Sequence, residues 1–191
     1  MATKPPTGDP VQDAPRVEAA QHSAAGLPAV AHSLRVAQQQ MGIRRSAQTL
    51  LKVNQKDGFD CPGCAWPEGD KRHVAEFCEN GAKAVAEEAT LRRVTPDFFA
   101  AHPVADLAGR SGYWLGQQGR ITQPVYLPEG ADRYEAVTWE RAFEIIAEEL
   151  TALDSPDEAL FYTSGRTSNE AAFLFQLFAR EFGTNNLPDC S

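Results

Sequence analysis

The most constraining feature of this 191-residue sequence is the segment FDCPGCAWPEGDKRHVAEFCENGAK, residues 59–83, which contains three of the four cysteines. Two residues separate Cys61 from Cys64, and thirteen separate Cys64 from Cys78. A Cys-x2-Cys pair in a Pro-Gly turn points both sulfurs the same way, so that they can bind one metal. Because CPGCAWPEGD is dense in Pro and Gly, it is predicted to be a loop.

The residues alone leave four interpretations of this spacing open. A zinc ion would suit the set Cys-x2-Cys-x8-His-x4-Cys, in which His73 is the histidine. A [4Fe–4S] cluster takes four ligands, usually cysteines, and three are nearby. A redox-active CPGC disulfide should open a helix, whereas AWPEGD follows it. The fourth interpretation is three unpaired cysteines with Cys78 simply buried.

Composition and charge narrow the classes of function. The net charge is −8, and no run of Lys and Arg supplies the basic face that nucleic-acid phosphates require, so a nucleic-acid partner is not expected. No stretch approaches the ~20 apolar residues of a membrane span. The N-terminus lacks the apolar core of a secretory signal. A cytoplasmic location is therefore predicted, where paired cysteines are more often metal ligands or catalytic thiols than disulfides.

The first half of the chain is predicted to be a tail, a helix, the cysteine loop and further helices. Residues 1–33 are rich in Pro, Ala, Gly, Asp and Ser without apolar periodicity, which predicts a disordered or loosely draped tail. A helix is expected from about Ser33 to Val53, with Gly42 as a weak point. After Cys78 the apolar spacing predicts another helix, with one face formed by Ala82, Val85, Ala86 and Ala89.

The second half alternates extended and helical patterns. Residues 120–134 are extended and turn-rich, and Thr138 is predicted to cap the helix WERAFEIIAEEL. This helix has an amphipathic stripe of Ala142, Phe143, Ile146 and Leu150.

A strand–turn–helix unit follows. EALFYTS, residues 158–164, is predicted to be a buried strand ended by Gly165. Thr167-Ser168-Asn169-Glu170 reads as a capping box that opens the helix AAFLFQLFAREF, which Gly183 ends. Such a unit presents backbone N–H groups to an anionic ligand. The alternative is an ordinary strand-to-helix turn with a surface arginine, Arg166.

These patterns predict an α/β protein in three parts. Residues 1–33 form the tail, residues 34–118 form a helical and loop region around the cysteines, and residues 119–191 begin an α/β domain. A single strand–helix unit offers no parallel partner for its strand. The chain is therefore interpreted as the front part of a larger protein, with an incomplete second domain.

Four motifs in the same order resemble the molybdopterin oxidoreductases, over roughly Ser33 to Ser191. FDCPGCAWP with FCENGAKAVAEE is similar to the amino-terminal iron–sulfur segment of the YdeP-type, formate dehydrogenase-like alpha subunits. GRITQPVYLP with YEAVTWERAFEIIAEEL resembles the family's Gly-Arg-hydrophobic-x-x-Pro segment and the Trp-acid-x-Ala helix that follows it. FYTSGRTSNEAAFLFQLFAREFGTNN resembles its Rossmann-like strand–turn–helix at the molybdopterin guanine dinucleotide, and NNLPDCS the run before the molybdenum ligand.

The resemblance implies a small iron–sulfur domain holding a [4Fe–4S] cluster on Cys61, Cys64 and Cys78. Glu68 stands where the family has its third cysteine. The candidates for the fourth ligand are therefore His73, Glu68, Asp70 or water.

The resemblance also implies a molybdenum bis-molybdopterin guanine dinucleotide cofactor in the full-length protein. Asn80 stands where the family has the lysine that bridges cluster and pterin, so Lys83 is expected to take that role, or else to be a solvated helix lysine. The expected cofactor contacts in the second half are Gly165, Arg166, Thr167, Ser168 and Asn186.

The activity implied for the full-length protein is oxidation or reduction of a small molecule, formate or similar, with electrons relayed through the cluster to an acceptor. Cys190 is not assigned to molybdenum, whose ligand is expected beyond Ser191. No catalytic residue is expected within this chain, which we predict to be inactive without the remainder of the enzyme. The alternative is a non-enzymatic zinc-binding module built on Cys61, Cys64, His73 and Cys78.

Overall fold

The computed structural model describes residues 1–9, 19, 25–63 and 70–188, and it divides the chain into two units. The first unit is Met1–Ala136 and the second is Val137–Ser191. The predicted boundary at residues 118 and 119 is therefore too early. The reason is that residues 120–121 pair with a strand of the first unit, which keeps the extended segment there.

The described part of the first unit is mainly helical, and its strands are two residues long. Its helices are α1 (Gly26–Leu50), α2 (Glu79–Glu88), α3 (Pro96–Ala101), α4 (Val104–Ala108) and α5 (Gly112–Gln118). Strand β1 (Arg93–Val94) pairs in parallel with β2 (Arg120–Ile121). Strand β3 (Val125–Tyr126) pairs antiparallel with β4 (Glu135–Ala136), so the extended character predicted for residues 120–134 is confirmed only in short pieces.

The core of the first unit is the contact between α1 and α2. Its buried residues are Ala37, Met41, Leu50, Ala82 and Ala86. The two predicted helices are thus confirmed, together with the buried face predicted after Cys78, of which Ala89 is half-buried. Gly42, the predicted weak point, has φ 71° and kinks α1.

The predicted tail ends earlier than residue 33, and its first residues lie against the first unit, as the loosely draped alternative predicted. Helix α1 begins at Gly26, well before Ser33, because the Ala-containing stretch from residue 26 can propagate a helix without an apolar period. Residues 1–9 are held by side chains distant in sequence: Arg92 Nη2 donates to Thr3 Oγ1 at 2.8 Å, and Ser111 Oγ is 2.7 Å from Asp9 Oδ1. Most of the remaining tail lies outside the described residues.

Arg92 is buried, with 7% of its surface exposed, and is bonded to neutral acceptors. Its guanidinium donates to Thr3 O at 3.1 Å, and to Gln117 O and Oε1 at 2.9 and 2.8 Å. Burial lowers the pKa of Arg92 from its usual value. This side chain therefore ties the N-terminal residues to the end of α5.

The second unit contains two helices joined by a loop. Helix α6 (Trp139–Thr151) is capped by Thr138, whose Oγ1 accepts from Arg141 N at 3.1 Å, as predicted. Helix α7 (Asn169–Phe182) ends at Gly183, which has φ 112°, also as predicted. The cap of α7 is Ser168, whose Oγ accepts from Ala171 N at 3.3 Å, so the capping residue lies one position later than the predicted box implies.

The predicted buried strand at residues 158–164 is not formed. A 3-10 turn (Pro156–Glu158) begins the segment, and Phe161 is buried while Leu160 and Tyr162 are 66% and 58% exposed. Phe161 packs against α7, with its ring centroid 5.6 Å from that of Phe178. No neighbouring strand in the described part of this unit offers the ladder that a parallel strand requires.

The apolar faces of both helices in the second unit are largely exposed. Phe143 and Ile146, from the predicted stripe of α6, are 63% and 50% exposed, and Phe173 and Leu174 of α7 are 63% and 62% exposed. Neither α6 nor α7, nor any other helix in the described ranges, has both the length and the apolar character needed to cross a membrane.

Gly119, which follows α5 directly, is predicted to be intolerant of any side chain. Its φ of 119° and ψ of −160° lie in a region that is essentially restricted to glycine, and an added Cβ would lie 2.5 Å from the carbonyl carbon of Arg92. The change Gly119→Ala should lower the free energy of unfolding by about 1–3 kcal/mol for backbone strain alone, and further for the overlap.

The matched control is Gly116→Ala within α5, where an added Cβ meets nothing within 4 Å. That change should raise stability by about 0.5–1 kcal/mol, since alanine favours the helix. Urea denaturation of both variants checks the pair. Equal stabilities would contradict the expected backbone conformation at Gly119.

Candidate functional site

Cys61 lies at the start of the cysteine loop, shortly after the C-terminal end of α1. Its side chain is 6% exposed and packs with Val53 and Val85. The backbone N–H of Gly63 donates to Cys61 Sγ at 3.3 Å. A thiolate at this position would therefore be partly stabilised by the backbone of its own turn.

Cys78 is the N-cap residue of α2. Its Sγ accepts from the backbone N–H of Gly81 at 3.3 Å, which satisfies one of the free donors at the start of the helix. The side chain is exposed. Because the N-terminus of a helix favours negative charge, Cys78 is well placed to act as a thiolate ligand.

Gly81 shows that the two sulfurs converge. A Cβ built on this buried glycine would lie 3.2 Å from Cys61 Sγ and 3.7 Å from Cys78 Sγ, so both sulfurs are within 3.7 Å of one point. Two soft sulfur ligands thus approach the same space next to a helix N-terminus, although they are far apart in sequence. Two sulfur ligands close together could contribute to one zinc ion or iron–sulfur cluster.

Two buried carboxamides support the loop, and the sequence analysis missed both. Asn54 Oδ1 accepts from Cys61 N at 2.8 Å, and Gln55 Oε1 accepts from His73 N at 3.1 Å. Gln55 Nε2 is buried without a hydrogen-bond partner, which costs about 1–3 kcal/mol unless an acceptor is supplied. No local pattern signals these roles, because their partners lie 7 and 18 residues further along the chain.

The remaining predicted ligands are not brought to the two sulfurs in the described residues. Cys64, Glu68 and Cys190 lie outside the described residues. His73 is described, but its side chain is 58% exposed and its Nε2 is 3.5 Å from Glu76 Oε1. Within the described ranges no three His, Cys, Asp or Glu side chains form a group that could hold a metal ion.

Lys83, the predicted bridge between cluster and pterin, is engaged in an ion pair. Its Nζ is 2.6 Å from Glu79 Oε1, and His32 Nδ1 is 3.1 Å from the same oxygen. The hydrogen bond from Lys83, followed by that from His32, holds the pKa of Glu79 below 4.5. Lys83 is 31% exposed and lies one helical turn beyond Cys78.

The predicted cofactor turn of the second unit precedes α7. Gly165 and Arg166 are exposed, the Thr163 and Thr167 hydroxyls are hydrogen-bonded to each other, and Ser168 caps the helix. Exposed N–H groups at the start of a helix suit an anionic ligand.

Asn186, the last predicted cofactor contact, is largely committed to the fold. Its Nδ2 donates to Asp157 O at 2.8 Å and to Ala159 O at 3.1 Å. Its backbone O accepts from Phe161 N at 2.9 Å. These bonds hold the loop between α6 and α7, so a structural role accounts for this residue.

The sequence of the second half matches the molybdopterin oxidoreductase family over residues 120–188, which include α6, the turn and α7. Over this range the chain is similar to the molybdopterin oxidoreductases. The prediction made from the four motifs is thereby confirmed at the level of the family.

Two of the similar proteins match most of this chain, and a third matches a shorter part of it. An uncharacterized oxidoreductase of Mycobacterium tuberculosis is 62% identical over 169 residues, which is 88% of this chain and 22% of that protein. Protein YdeP of Escherichia coli is 46% identical over 178 residues, or 92% and 23% of the two chains. A Staphylococcus aureus protein, provisionally named a formate dehydrogenase, is 36% identical over 81 residues, or 40% and 8%.

This chain thus spans less than a quarter of the length of these relatives. No solved structure is significantly similar to it.

A substitution at Gly81 tests whether the two sulfurs bind one metal. Gly81→Ala should leave α2 at least as stable, because alanine is the better helix former, but its methyl group would displace Cys61 Sγ. Metal affinity should therefore fall, while the free energy of unfolding of the metal-free protein stays within about 1 kcal/mol of the original. Metal analysis and thermal unfolding measure the two quantities.

The control is Gly112→Ala at the start of α5, where an added Cβ meets nothing within 4 Å. This variant should retain its metal. Unchanged metal binding in Gly81→Ala would mean that the two sulfurs do not share a ligand at this point.

The ion pair of Glu79 predicts a pH dependence. A carboxylate whose pKa is depressed contributes stability above its ordinary value near 4.5, and that contribution is lost as the pH falls through the depressed pKa. Lys83→Met should raise the pKa of Glu79 and remove this contribution. The stability difference between the two proteins should therefore disappear in acid. An NMR titration of Glu79 measures the pKa, with Lys56→Met as the exposed control, and an unchanged pKa in Lys83→Met would contradict the assignment.

Proposed function

We propose that this chain carries the [4Fe–4S] site of a molybdopterin oxidoreductase, with Cys61, Cys64 and Cys78 as cluster ligands. The observation that carries the proposal is the convergence of Cys61 Sγ and Cys78 Sγ within 3.7 Å of one point above Gly81. Similarity to the family supports an oxidoreductase that uses a molybdopterin. The [4Fe–4S] cluster and its three cysteine ligands are proposed in addition to this family-level function.

The residues present fit such a cluster. Iron–sulfur clusters are held by cysteine thiolates, and hydrogen bonds to the sulfurs help to set the reduction potential. Both described cysteines accept a backbone N–H at 3.3 Å, from Gly63 and Gly81 respectively. The N-terminus of α2 adds a favourable electrostatic term for an anionic thiolate–metal centre.

The fourth cluster ligand is proposed to come from the segment between Cys64 and Cys78. His73 remains the chemical substitute that most resembles a cysteine in its affinity for iron, while Glu68, Asp70 and water are the alternatives. In the described structure the backbone of His73 is anchored by Gln55, and its exposed ring is not committed to the core.

The second unit is proposed to make the first contacts with a molybdopterin guanine dinucleotide. Support comes from the exposed turn at Gly165 and Arg166 and from the capped N-terminus of α7 behind it. Helix N-termini favour phosphate, and a guanidinium can form two parallel hydrogen bonds to it. Thr167 and Ser168 would fix the turn. Lys83 stays proposed as a cofactor contact, a role for which its ion pair with Glu79 would have to open.

For the full-length protein we propose transfer of two electrons between a small-molecule substrate and the molybdenum cofactor, which supplies the two-electron chemistry when bound. The cluster ligands of this chain would hold the centre through which the electrons pass one at a time to an acceptor. Formate is the substrate suggested by the name of the Staphylococcus aureus relative. A cytoplasmic location and the absence of a nucleic-acid partner stay predictions.

Anaerobic reconstitution of the chain with iron and sulfide tests the cluster. We expect a brown protein with about four iron atoms and four sulfides per chain, and loss of both in Cys61→Ser, Cys64→Ser and Cys78→Ser. His73→Ala and Glu68→Gln then distinguish the fourth ligand, since only the ligating residue should alter the EPR spectrum and the reduction potential. Cys190→Ser is the control and should retain the cluster.

Two results would contradict this proposal. A colourless protein that binds one zinc ion with Cys61, Cys64, Cys78 and His73 would instead support a zinc-binding module. Formate oxidation by the chain alone would contradict the expectation that the remainder of the enzyme is needed for activity.

A further inference from the structure

Asn54 adopts a backbone conformation that few residues tolerate, immediately before the cysteine loop. Its φ is 52°, and it is 3% exposed. Its backbone N–H donates to Phe59 O at 2.7 Å, which closes the turn between α1 and Cys61. Among residues with a side chain, Asn and Asp are strongly enriched in this left-handed region.

The Asn54 carboxamide joins the two sides of the cysteine loop. Its Oδ1 accepts from the backbone N–H of Cys61 at 2.8 Å, and its Nδ2 donates to the backbone O of Glu76 at 2.6 Å. Cys61 carries the first ligand, and Glu76 lies two residues before Cys78. One side chain therefore fixes the separation between the backbone segments that bear the two converging sulfurs.

These contacts impose three requirements that asparagine meets together. The backbone must tolerate a positive φ, the side chain must accept from Cys61, and it must also donate to Glu76. Aspartate meets the first two requirements, and glycine meets only the first. The longer glutamine carboxamide has both polar groups but lacks the tolerance for positive φ.

Gln55 adds a second attachment to the same side of the loop. It is 4% exposed, and its Oε1 accepts from His73 N at 3.1 Å. Two adjacent buried carboxamides thus hold residues 73 and 76 next to the turn that leads into Cys61. Residues that follow α1 therefore hold the segment before α2 in place.

We propose that Asn54 is a positioning residue for the metal centre, acting through Cys61 and Glu76 without contacting the metal itself. This inference rests on the proposed cluster site, because the two segments that Asn54 joins carry the proposed ligands Cys61 and Cys78. The role is distinct from stabilising the helices, because α1 and α2 are packed together by their own apolar residues.

Two variants of the chain separate the contributions of Asn54. Asn54→Gly keeps the backbone conformation but removes both side-chain bonds. Asn54→Asp keeps the bond from Cys61 N–H, loses the bond to Glu76 O and places a negative charge next to Cys61. The matched control is Asn185→Asp, the same chemical change at an exposed position of the second unit.

After anaerobic reconstitution, Asn54→Gly should bind iron about 10- to 100-fold more weakly than the original chain, the effect typical of residues that orient metal ligands. Asn54→Asp should retain more iron than Asn54→Gly but show a more negative reduction potential, because the added charge disfavours the reduced cluster. Asn185→Asp should leave affinity and potential close to the original values.

The metal-free proteins supply a second measurement. The helical circular dichroism of Asn54→Gly should be unchanged, while alkylation of the Cys61 thiol should be faster, because the turn that buries it is released. If Asn54→Gly does not fold, Asn54→Asp alone decides the question through its affinity and potential.

Unchanged iron affinity and potential in both variants would overturn the positioning role while leaving the cluster proposal intact. If the original chain takes up no iron, the cluster proposal fails. In that case, equal alkylation rates for Cys61 in the original chain and Asn54→Gly would overturn the positioning role as well.

Discussion

The packing of α1 against α2 is the constraint on which the cysteine site depends. Ala37, Ala82 and Ala86 are fully buried at this contact, and residues this small allow the two helices to approach closely. The loop to Cys61 leaves from the C-terminal end of α1, and Cys78 caps the N-terminal end of α2. One apolar contact between helices therefore sets the positions of two sulfur atoms that are 17 residues apart in the sequence.

The precise positions of the residues in the cysteine loop depend on hydrogen bonds. Apolar packing tolerates shifts of a few tenths of an ångström, whereas a metal centre requires its ligands at defined positions. The hydrogen bonds of Asn54 and the N–H donors to the two sulfurs supply that definition. Gly81 keeps the space between the sulfurs free of side-chain atoms. Helix packing thus sets the approximate positions of the two sulfurs, and hydrogen bonds from carboxamides and backbone amides set them more precisely.

The elements predicted correctly are those specified by adjacent residues. Thr138 and Gly183 bound their helices because a cap acts within one helical turn. The strand at residues 158–164 was predicted wrongly because a parallel strand needs a neighbour that its own sequence does not contain. The role of Asn54 was not predicted for a related reason. It depends on a positive φ and on a hydrogen bond to Glu76, 22 residues further along the chain. The cysteine spacing predicted the type of ligand, whereas the residues that support the loop became visible only in the folded structure.

The two units differ in what they can do within this chain. The first has its own buried core and brings two cysteine sulfurs together. The second exposes Phe143 on α6 and Phe173 on α7, and apolar faces of this size are normally covered in a folded protein. Because relatives of high identity are about four times as long, we infer that their remaining residues cover the corresponding faces. Cluster binding is therefore a property to measure on this chain, whereas dinucleotide binding should be measured on the longer relatives, in which both helices have their packing partners.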